Sequence, residues 1–145
     1  MPAIPTDFQV QVRSHPRLLR PVRWLVRTWL NEMGVECDRG DEVVLALDEA
    51  CTNAIRHSYH GEDGNTLVLT LRAAPEWLEL ELRDDGDPAP LEKMQARILE
   101  APTLDRLQAG GLGVQLIHRV FDEVTFCPGI ERGNCVIMRL RRGKG

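Results

Sequence analysis

Residues 46–61, ALDEACTNAIRHSYHG, combine a helical pattern of apolar side chains with a line of polar ones. With Leu47 at the centre of the buried face, a rotation of about 100° per residue places several small or apolar residues on the same side. Those residues are Val43, Val44, Ala50, Cys51 and Ala54. The pattern predicts an amphipathic helix over residues 42–59, with a turn at residues 38–40 and Asp41 as the N-cap.

The opposite side of this helix carries polar residues, which are Glu49, Asn53 and Arg56. Because Glu49 and Asn53 are four residues apart, one lies a turn above the other. A carboxylate there can accept a proton from an attacking hydroxyl group or orient that group. An amide oxygen one turn away can ligate Mg²⁺, which prefers oxygen ligands. The alternative is an ordinary solvated helix face.

An acidic turn follows a predicted strand at residues 77–84, in which apolar and polar residues alternate. The strand runs into DDGDP, residues 84–88. A carboxylate at a strand end, here Asp84, can accept a hydrogen bond from an exocyclic amine such as that of adenine. Gly86 allows the backbone to approach a flat ring closely. The alternative is a β-turn held by the local hydrogen bonding of Asp.

A glycine-rich turn, Gly110-Gly111-Leu112-Gly113, precedes a predicted amphipathic helix at residues 113–121. Glycines before a helix expose backbone N–H groups, so a phosphate can bind at the positive end of the helix dipole. The turn is neither a Walker A loop nor a GxGxxG motif. It is therefore a weak signal when it is taken alone.

The order of the three segments gives them a common interpretation. The helix would supply the metal ligand and the base, and the acidic turn would contact adenine. The glycine-rich turn would bind the phosphates, and the connection before it would cover the site. Each part meets one requirement of an ATP site. Residues of about 87–110, with a further helix at 91–100, form a long connection of the kind that often serves as a lid. The sequence therefore predicts an ATP-binding cleft.

The other segments predict a two-layer fold. Strands are predicted at residues 8–13, 66–72, 123–127 and 134–141, and a helix at residues 18–33 after Pro16. Residues 66–84 are expected to form a hairpin. We expect one domain, residues 1–145, of the α+β class, in which a mixed, mostly antiparallel sheet carries three main helices on one face.

The composition limits the function classes. The chain has 145 residues, of which 43% are hydrophobic and 28% charged, and a formal net charge of −4, so nothing in its overall charge favours nucleic acid. No apolar run approaches the length of about 18 residues that spans a membrane, so no membrane span is expected. Residues 1–12 lack a basic start followed by an apolar stretch, so we do not expect them to be a secretory signal. The four cysteines lack metal-ligand spacing and are expected to be free thiols in a cytoplasmic protein.

The succession of segments resembles the Bergerat-fold (GHKL) ATPases, the group that contains DNA gyrase and the histidine kinases. It is most similar to the stand-alone anti-sigma factor serine kinases of the RsbW and SpoIIAB type. The segments that carry the resemblance are ALDEACTNAIRHSYHG (46–61), LRDDGDPAP (82–90) and GGLGVQLIHRVFDEV (110–124). The resemblance covers nearly the whole chain and implies a Bergerat-type ATP-binding fold.

The resemblance also implies residue roles. Glu49 would be the catalytic base, and Asn53 would ligate Mg²⁺ and belong to the ATP site. Asp84 would bind the adenine amino group, with Gly86 shaping that pocket. The other ATP-binding residues would be His57 at the pocket edge and Gly111, Leu112 and Gly113 beside the phosphates.

Two positions depart from the family pattern. Pro88 stands where the family's DxGxG motif has its second glycine, which affects the hinge of the lid. Ala109 stands where some members place an Arg that reaches the γ-phosphate, and Arg106 lies three residues earlier. Both departures bear on phosphotransfer more than on nucleotide binding.

The implied function is that of an anti-sigma factor with protein serine/threonine kinase activity. It would use ATP and Mg²⁺ to phosphorylate an anti-anti-sigma (STAS-domain) protein, and it would sequester a sigma factor. A homodimer is expected from the family, and Arg20 and Arg23 are candidates for the partner surface. The alternative is an ATP-binding switch module that binds a partner protein without phosphorylating it.

Overall fold

The computed structural model describes residues 4–62, 64–88 and 111–143. Its strands are β1 (Thr6–Arg13), β2 (Thr66–Ala73), β3 (Trp77–Asp84), β4 (Glu123–Pro128) and β5 (Asn134–Arg141). Its α-helices are α1 (Leu19–Glu32), α2 (Cys37–Asn53) and α3 (Gly111–Val120). A 3₁₀ turn, Pro16–Leu18, precedes α1, and a π-helical turn, Ala54–Ser58, follows α2.

The strands form one sheet in the order β1-β2-β3-β5-β4. Every pairing among them is antiparallel, and the predicted hairpin of β2 and β3 is confirmed. The long excursion between β3 and β5 returns the chain so that β5 lies beside β3, with Asp84 opposite Asn134. The end of β3 and the start of β5 are therefore neighbours at one edge of the sheet.

The helices cover one face of the sheet. On β2, β3 and β5 the alternate residues facing the helices are buried: Leu67, Leu69, Leu71, Leu78, Leu80, Leu82, Val136, Met138 and Leu140. They join buried residues of all three helices in one core, including Val26, Leu47 and Ile117. Because side chains alternate across a strand, the intervening residues lie on the other face. The predicted two-layer α+β fold is confirmed.

The start of α2 differs from the prediction. The helix begins at Cys37 with Glu36 as its N-cap, so residues 38–40 belong to the helix and Asp41 is not a cap. Gly40 is helical and its N–H donates to the carbonyl oxygen of Glu36 at 2.8 Å. A glycine costs a helix only about 1 kcal/mol, and packing of the helix on the core outweighs that cost.

The end of α2 also differs. The regular helix stops at Asn53, and the predicted last turn is π-helical. The predicted buried side of the helix is correct, since Val43, Val44, Leu47, Ala50, Cys51 and Ala54 are all buried. Asn53, which the pattern placed on the solvated side, is only 9% exposed. The polar face is therefore partly covered by another part of the fold.

The other elements of the described ranges agree with the prediction to within a few residues: α3 begins at Gly111 rather than at residue 113, and β1 at Thr6 rather than at residue 8. The predicted helix at residues 91–100 and nearly all of the predicted lid lie outside the described residues. Among the helices of the described ranges, none combines the length and apolar character needed to cross a bilayer.

Candidate functional site

A cleft opens where the end of α2 and the π-helical turn meet the sheet edge formed by β3, β4 and β5. Its lining residues from the helical side are Ala50, Asn53, Ala54, His57 and Ser58. Its lining residues from the sheet are Leu82, Asp84, Phe126, Cys127, Pro128, Asn134, Cys135 and Val136. The cleft thus has an apolar floor and a few polar groups at fixed positions, which is the usual composition of a small-molecule site.

The helical side presents Asn53 and Glu49. Asn53 is the last residue of the regular helix, nearly buried, and it lines the cleft. Glu49 lies one turn earlier and is partly exposed. Because both residues belong to α2, the predicted placement of Glu49 one turn before Asn53 is confirmed.

The π-helical turn brings polar groups inward directly after Asn53. The backbone N–H of Tyr59 bonds back five residues to the carbonyl of Ala54, at 3.2 Å. Ser58 and Tyr59 are both buried, whereas Arg56 and His57 are exposed. Widened turns of this type occur often at functional sites because they redirect side chains locally.

Asp84 is the centre of a hydrogen-bond network on the sheet side. Its Oδ1 accepts from the backbone N–H of Gly86 at 2.9 Å and from Nδ2 of Asn134 at 3.0 Å. Its Oδ2 accepts from the hydroxyl of Ser58 at 3.0 Å. The amide nitrogen of Asn134 also lies 3.0 Å from Oγ of Ser58 and 2.8 Å from the carbonyl oxygen of Asp87. The carboxylate is thereby held in one orientation by groups from three parts of the chain.

Gly86 lies in close contact with the π-helical turn. A Cβ at this position would come within 2.3 Å of the carbonyl oxygen of Ser58, a backbone atom that cannot swing away. The same carbonyl accepts from the backbone N–H of Asp87 at 2.9 Å, and Gly133 N–H donates to the carbonyl of Gly86 at 2.7 Å. The turn after β3 is therefore clamped between the helical side and the β4–β5 connection, and only glycine fits there.

Tyr59 fastens the same turn from behind. Its hydroxyl donates to the carbonyl oxygen of Thr66 at 2.7 Å and accepts from the backbone N–H of Asp85 at 2.6 Å. Burial raises the pKa of Tyr59, and the nearby carboxylates of Asp84 and Asp85 act in the same direction against two opposing backbone hydrogen bonds. The phenol is thus held in its neutral form.

Three of the predicted site residues line this cleft: Asn53, His57 and Asp84. Gly86 packs against Ser58 in the turn after β3, and Glu49 lies one helical turn before Asn53 on α2. Gly111, Leu112 and Gly113 form the first turn of α3, which packs beside α2. Arg20 and Arg23 are on α1, where Arg20 is exposed and Arg23 forms an ion pair with Asp48 at 2.6 Å. Arg23 therefore fastens α1 to α2.

Three residues of the network were missed by the sequence interpretation. Ser58 and Tyr59 follow the polar stripe of α2 but appeared only as the end of a helix, and Asn134 appeared only as the start of a strand. The sequence signal for Asn134 is slight: a polar residue directly after Gly133 at the beginning of a strand. Its importance comes from its position opposite Asp84 in the sheet.

The donor set suits a magnesium nucleotide. Asn53 offers one side-chain oxygen at the cleft, and no group of three or more His, Cys, Asp or Glu residues suited to a metal ion occurs among the described residues. Mg²⁺ is usually held by one or two protein oxygens together with phosphate and water, so an amide oxygen at the cleft fits it. Asp84, which also lines the cleft, offers a carboxylate that suits an amine.

Residues 12–140 match the family described as the histidine kinase-like ATPase domain. The match spans most of the chain, and the chain therefore belongs to that family. The solved structures agree on the fold. The SiaB–SiaC complex from Pseudomonas aeruginosa aligns with a TM-score of 0.73 at 12% identity, covering 93% of this chain and 89% of that chain.

Within that family the chain is similar to the serine-protein kinases RsbW. It is 28% identical over 120 residues to RsbW of Bacillus velezensis, covering 81% of this chain and 75% of the relative. It is 31% identical over 122 residues to RsbW of Bacillus licheniformis, with the same coverage. A structure of the RsbU and RsbW domains of a Mycobacterium tuberculosis protein aligns with a TM-score of 0.62 at 18% identity, covering 94% of this chain and 32% of that one.

Proposed function

We propose that this chain is an anti-sigma factor with protein serine/threonine kinase activity. It transfers the γ-phosphoryl group of ATP to a Ser or Thr of an anti-anti-sigma (STAS-domain) protein, and it sequesters a sigma factor. The observation that carries the proposal is a cleft lined by both Asn53 and Asp84, with the partly exposed Glu49 one helical turn before Asn53. The RsbW relatives support the same reaction class.

Asp84 is proposed to recognise the adenine. A carboxylate offers about four lone-pair positions, and the protein occupies three of them through Gly86, Asn134 and Ser58. Among the contacts of the described residues, this leaves one position for an amine donor. Because the network fixes the carboxylate before any ligand binds, binding loses little additional side-chain entropy. A hydrogen bond to a charged acceptor contributes about 1.5–3 kcal/mol.

Asn53 and Glu49 are proposed to serve the phosphate end. The side-chain oxygen of Asn53 would hold Mg²⁺, which would neutralise phosphate charge when bound. Glu49 would accept the proton of the acceptor hydroxyl as its oxygen bonds to the γ-phosphorus and the bond to the β-phosphate oxygen breaks, releasing ADP. Gly111, Leu112 and Gly113 would offer backbone N–H groups to the phosphates, and His57 would border the pocket.

The exposed side of α1 is proposed as the partner surface. Arg20 is exposed, and Trp24, four residues later on the same face, is 71% exposed. Trp and Arg are enriched at protein interfaces, and an exposed aromatic side chain beside a cation suits a partner bearing an acidic or phosphorylated surface. Arg23 contributes less, because Asp48 already pairs with it.

A switch module that binds a partner without phosphorylating it is the second candidate. Two departures from the pattern of the RsbW-type kinases favour it. Ala109 stands where some members carry an Arg that reaches the γ-phosphate, and Pro88 stands in place of a glycine. Both functions need the same adenine contact. They differ only in whether the phosphoryl group leaves the nucleotide.

Two measurements test these functions. Calorimetry with Mg·ADP and Mg·ATP should give a one-site binding isotherm, and the absence of heat from folded protein would overturn both candidates. Incubation with γ-labelled ATP and a STAS-domain partner should place label on the partner. Nucleotide binding with no label on the partner would favour the switch module over the kinase.

A Trp24→Ala variant tests the partner surface separately. It should bind the STAS partner about tenfold more weakly while binding ADP as the wild type does, since truncation of an interface hot spot costs about 1–2 kcal/mol or more. Leu45→Ala is the matched control, because Leu45 is an exposed apolar residue on α2. An equal loss in both variants would contradict a surface on α1.

A further inference from the structure

Cys127 and Cys135 lie directly opposite each other in the β4–β5 ladder. Of their strand neighbours, Val136 belongs to the core on the helix side and Phe126 packs against that core. Because side chains alternate along a strand, both thiols lie on the other face of the sheet. The two cysteines are therefore a cross-strand pair on one surface, and both are free thiols.

The spacing of such a pair is close to that of a disulfide. Directly opposite residues of an antiparallel ladder have Cβ atoms about 4.5–5.5 Å apart. A disulfide holds Cβ atoms about 3.5–4.5 Å apart, with Cα atoms about 4.4–6.8 Å apart. A local approach of the strands by about 1 Å is thus enough to join the sulfurs.

The two thiols differ in accessibility and in their surroundings. Cys127 is exposed, whereas Cys135 is half-buried. Burial raises the pKa of Cys135, while the guanidinium of Arg83, its neighbour on β3, opposes the shift and Glu81 adds to it. Cys127 is therefore the thiol that a reagent reaches first, and Cys135 is positioned as the second.

We propose that Cys127 and Cys135 form a redox-active dithiol that a low-molecular-weight disulfide oxidises to an intrachain disulfide. The thiolate of Cys127 attacks one sulfur of the small disulfide and releases one thiol, which leaves a mixed disulfide on Cys127. Cys135 then loses its proton, attacks the sulfur of Cys127 and displaces the second thiol. Two protein thiols are oxidised and one small disulfide is reduced to two thiols.

The other two cysteines provide contrast within the same chain. Cys51 is buried in the core, and desolvation raises its pKa to about 12. It should not react while the protein is folded, because the thiolate is the reactive form. Cys37 is exposed at the start of α2, so it reports on oxidation of a thiol without a cross-strand partner.

The bond would also affect the cleft. Phe126 and Val136, the strand neighbours of the two cysteines, line the cleft on the helix side, so drawing the two strands together moves its sheet-side wall. This expectation rests on the proposed function: the oxidised protein should bind ADP about fivefold more weakly than the reduced protein. An effect of that size is at the lower end of the usual change in affinity between coupled sites. Asn134 at the start of β5 is the residue through which this movement reaches Asp84.

The test is oxidation of the full chain by glutathione disulfide. Intact-mass measurement should show the loss of two hydrogens, and titration should show that two of the four thiols have disappeared. Peptide mapping without reductant should recover a cross-link between Cys127 and Cys135. The Cys135→Ser variant should stop at a glutathione adduct on Cys127, and Cys37→Ser should oxidise as the wild type does.

A persistent adduct on Cys127 of the wild-type chain, with Cys135 still free, would overturn the proposal, as would cross-links that involve only Cys37. The thiol measurements do not depend on nucleotide binding, so they stand whether or not the proposed function does. If the disulfide forms and the affinity for ADP is equal in oxidised and reduced protein, the coupling to the cleft is refuted.

Discussion

The two ends of the cleft are built differently. At one end, the carboxylate of Asp84 accepts hydrogen bonds from the amide of Asn134, the hydroxyl of Ser58 and the backbone N–H of Gly86. Gly86 itself is packed directly against Ser58. On the helical side, Glu49 lies one turn before Asn53 on α2 and is partly exposed. The groups around Asp84 are therefore held in one arrangement by their hydrogen bonds, whereas Glu49 remains accessible to solvent.

The largest expected effect concerns the open end. Glu49→Gln should reduce transfer of label to a STAS partner by about 10²–10⁴-fold, the usual contribution of a general base. Because the amide has nearly the same shape, affinity for ADP should stay unchanged. Glu42→Gln, a change at an exposed position of the same helix, should leave both quantities unchanged. Retention of transfer in Glu49→Gln would remove Glu49 from the mechanism.

The next effect concerns the prebuilt end. Asp84→Asn should weaken ADP binding by about 10–100-fold, because a charged acceptor is lost and replaced by a group that can also donate. Calorimetry measures this loss, and thermal unfolding checks that the variant is folded. Asp85→Asn is the matched control, since the side chain of Asp85 is 81% exposed. Similar affinities for the two variants would mean that Asp84 does not face the ligand.

Gly86→Ala tests how tightly the prebuilt end is packed. The added Cβ meets the Ser58 carbonyl oxygen at 2.3 Å, so the variant should lose about 1–3 kcal/mol of unfolding free energy. Gly40→Ala is expected to change stability in the opposite direction by about 1 kcal/mol, because that helical glycine has nothing within 4 Å of a new Cβ. Urea unfolding measures both variants. A neutral Gly86→Ala would show that the turn can move away from Ser58.

The smallest effect is a dependence of stability on pH. Burial raises the pKa of Tyr59 above the ordinary value of 10.0, so the folded state retains the phenolic proton at a pH where the unfolded state releases it. This contribution is complete below about pH 10 and decreases as pH rises through the folded pKa. Between pH 9 and 11, the unfolding free energy of the wild type should fall more steeply with pH than that of Tyr59→Phe. The difference in slope should correspond to the release of about one proton at most. Equal slopes would mean that Tyr59 is not held neutral by the fold.

The sequence alone determined the layered fold and most of its elements. Alternating leucines in β2 and β3 predicted the hairpin, and the apolar stripe around Leu47 predicted the buried side of α2. These features are local or periodic, so hydrophobic burial fixes them wherever the segment packs. The spacing of Glu49 and Asn53 and the position of Gly86 after a strand were readable for the same reason.

Only the tertiary structure decided how the cleft is completed. Asn134 reaches Asp84 from 50 residues away because β5 returns beside β3 in one particular register. Register depends on the packing of whole strands and on the long excursion between them, which no short pattern encodes. The burial of Asn53, the π-helical turn that directs Ser58 inward and the pairing of Cys127 with Cys135 depend on those same long-range contacts.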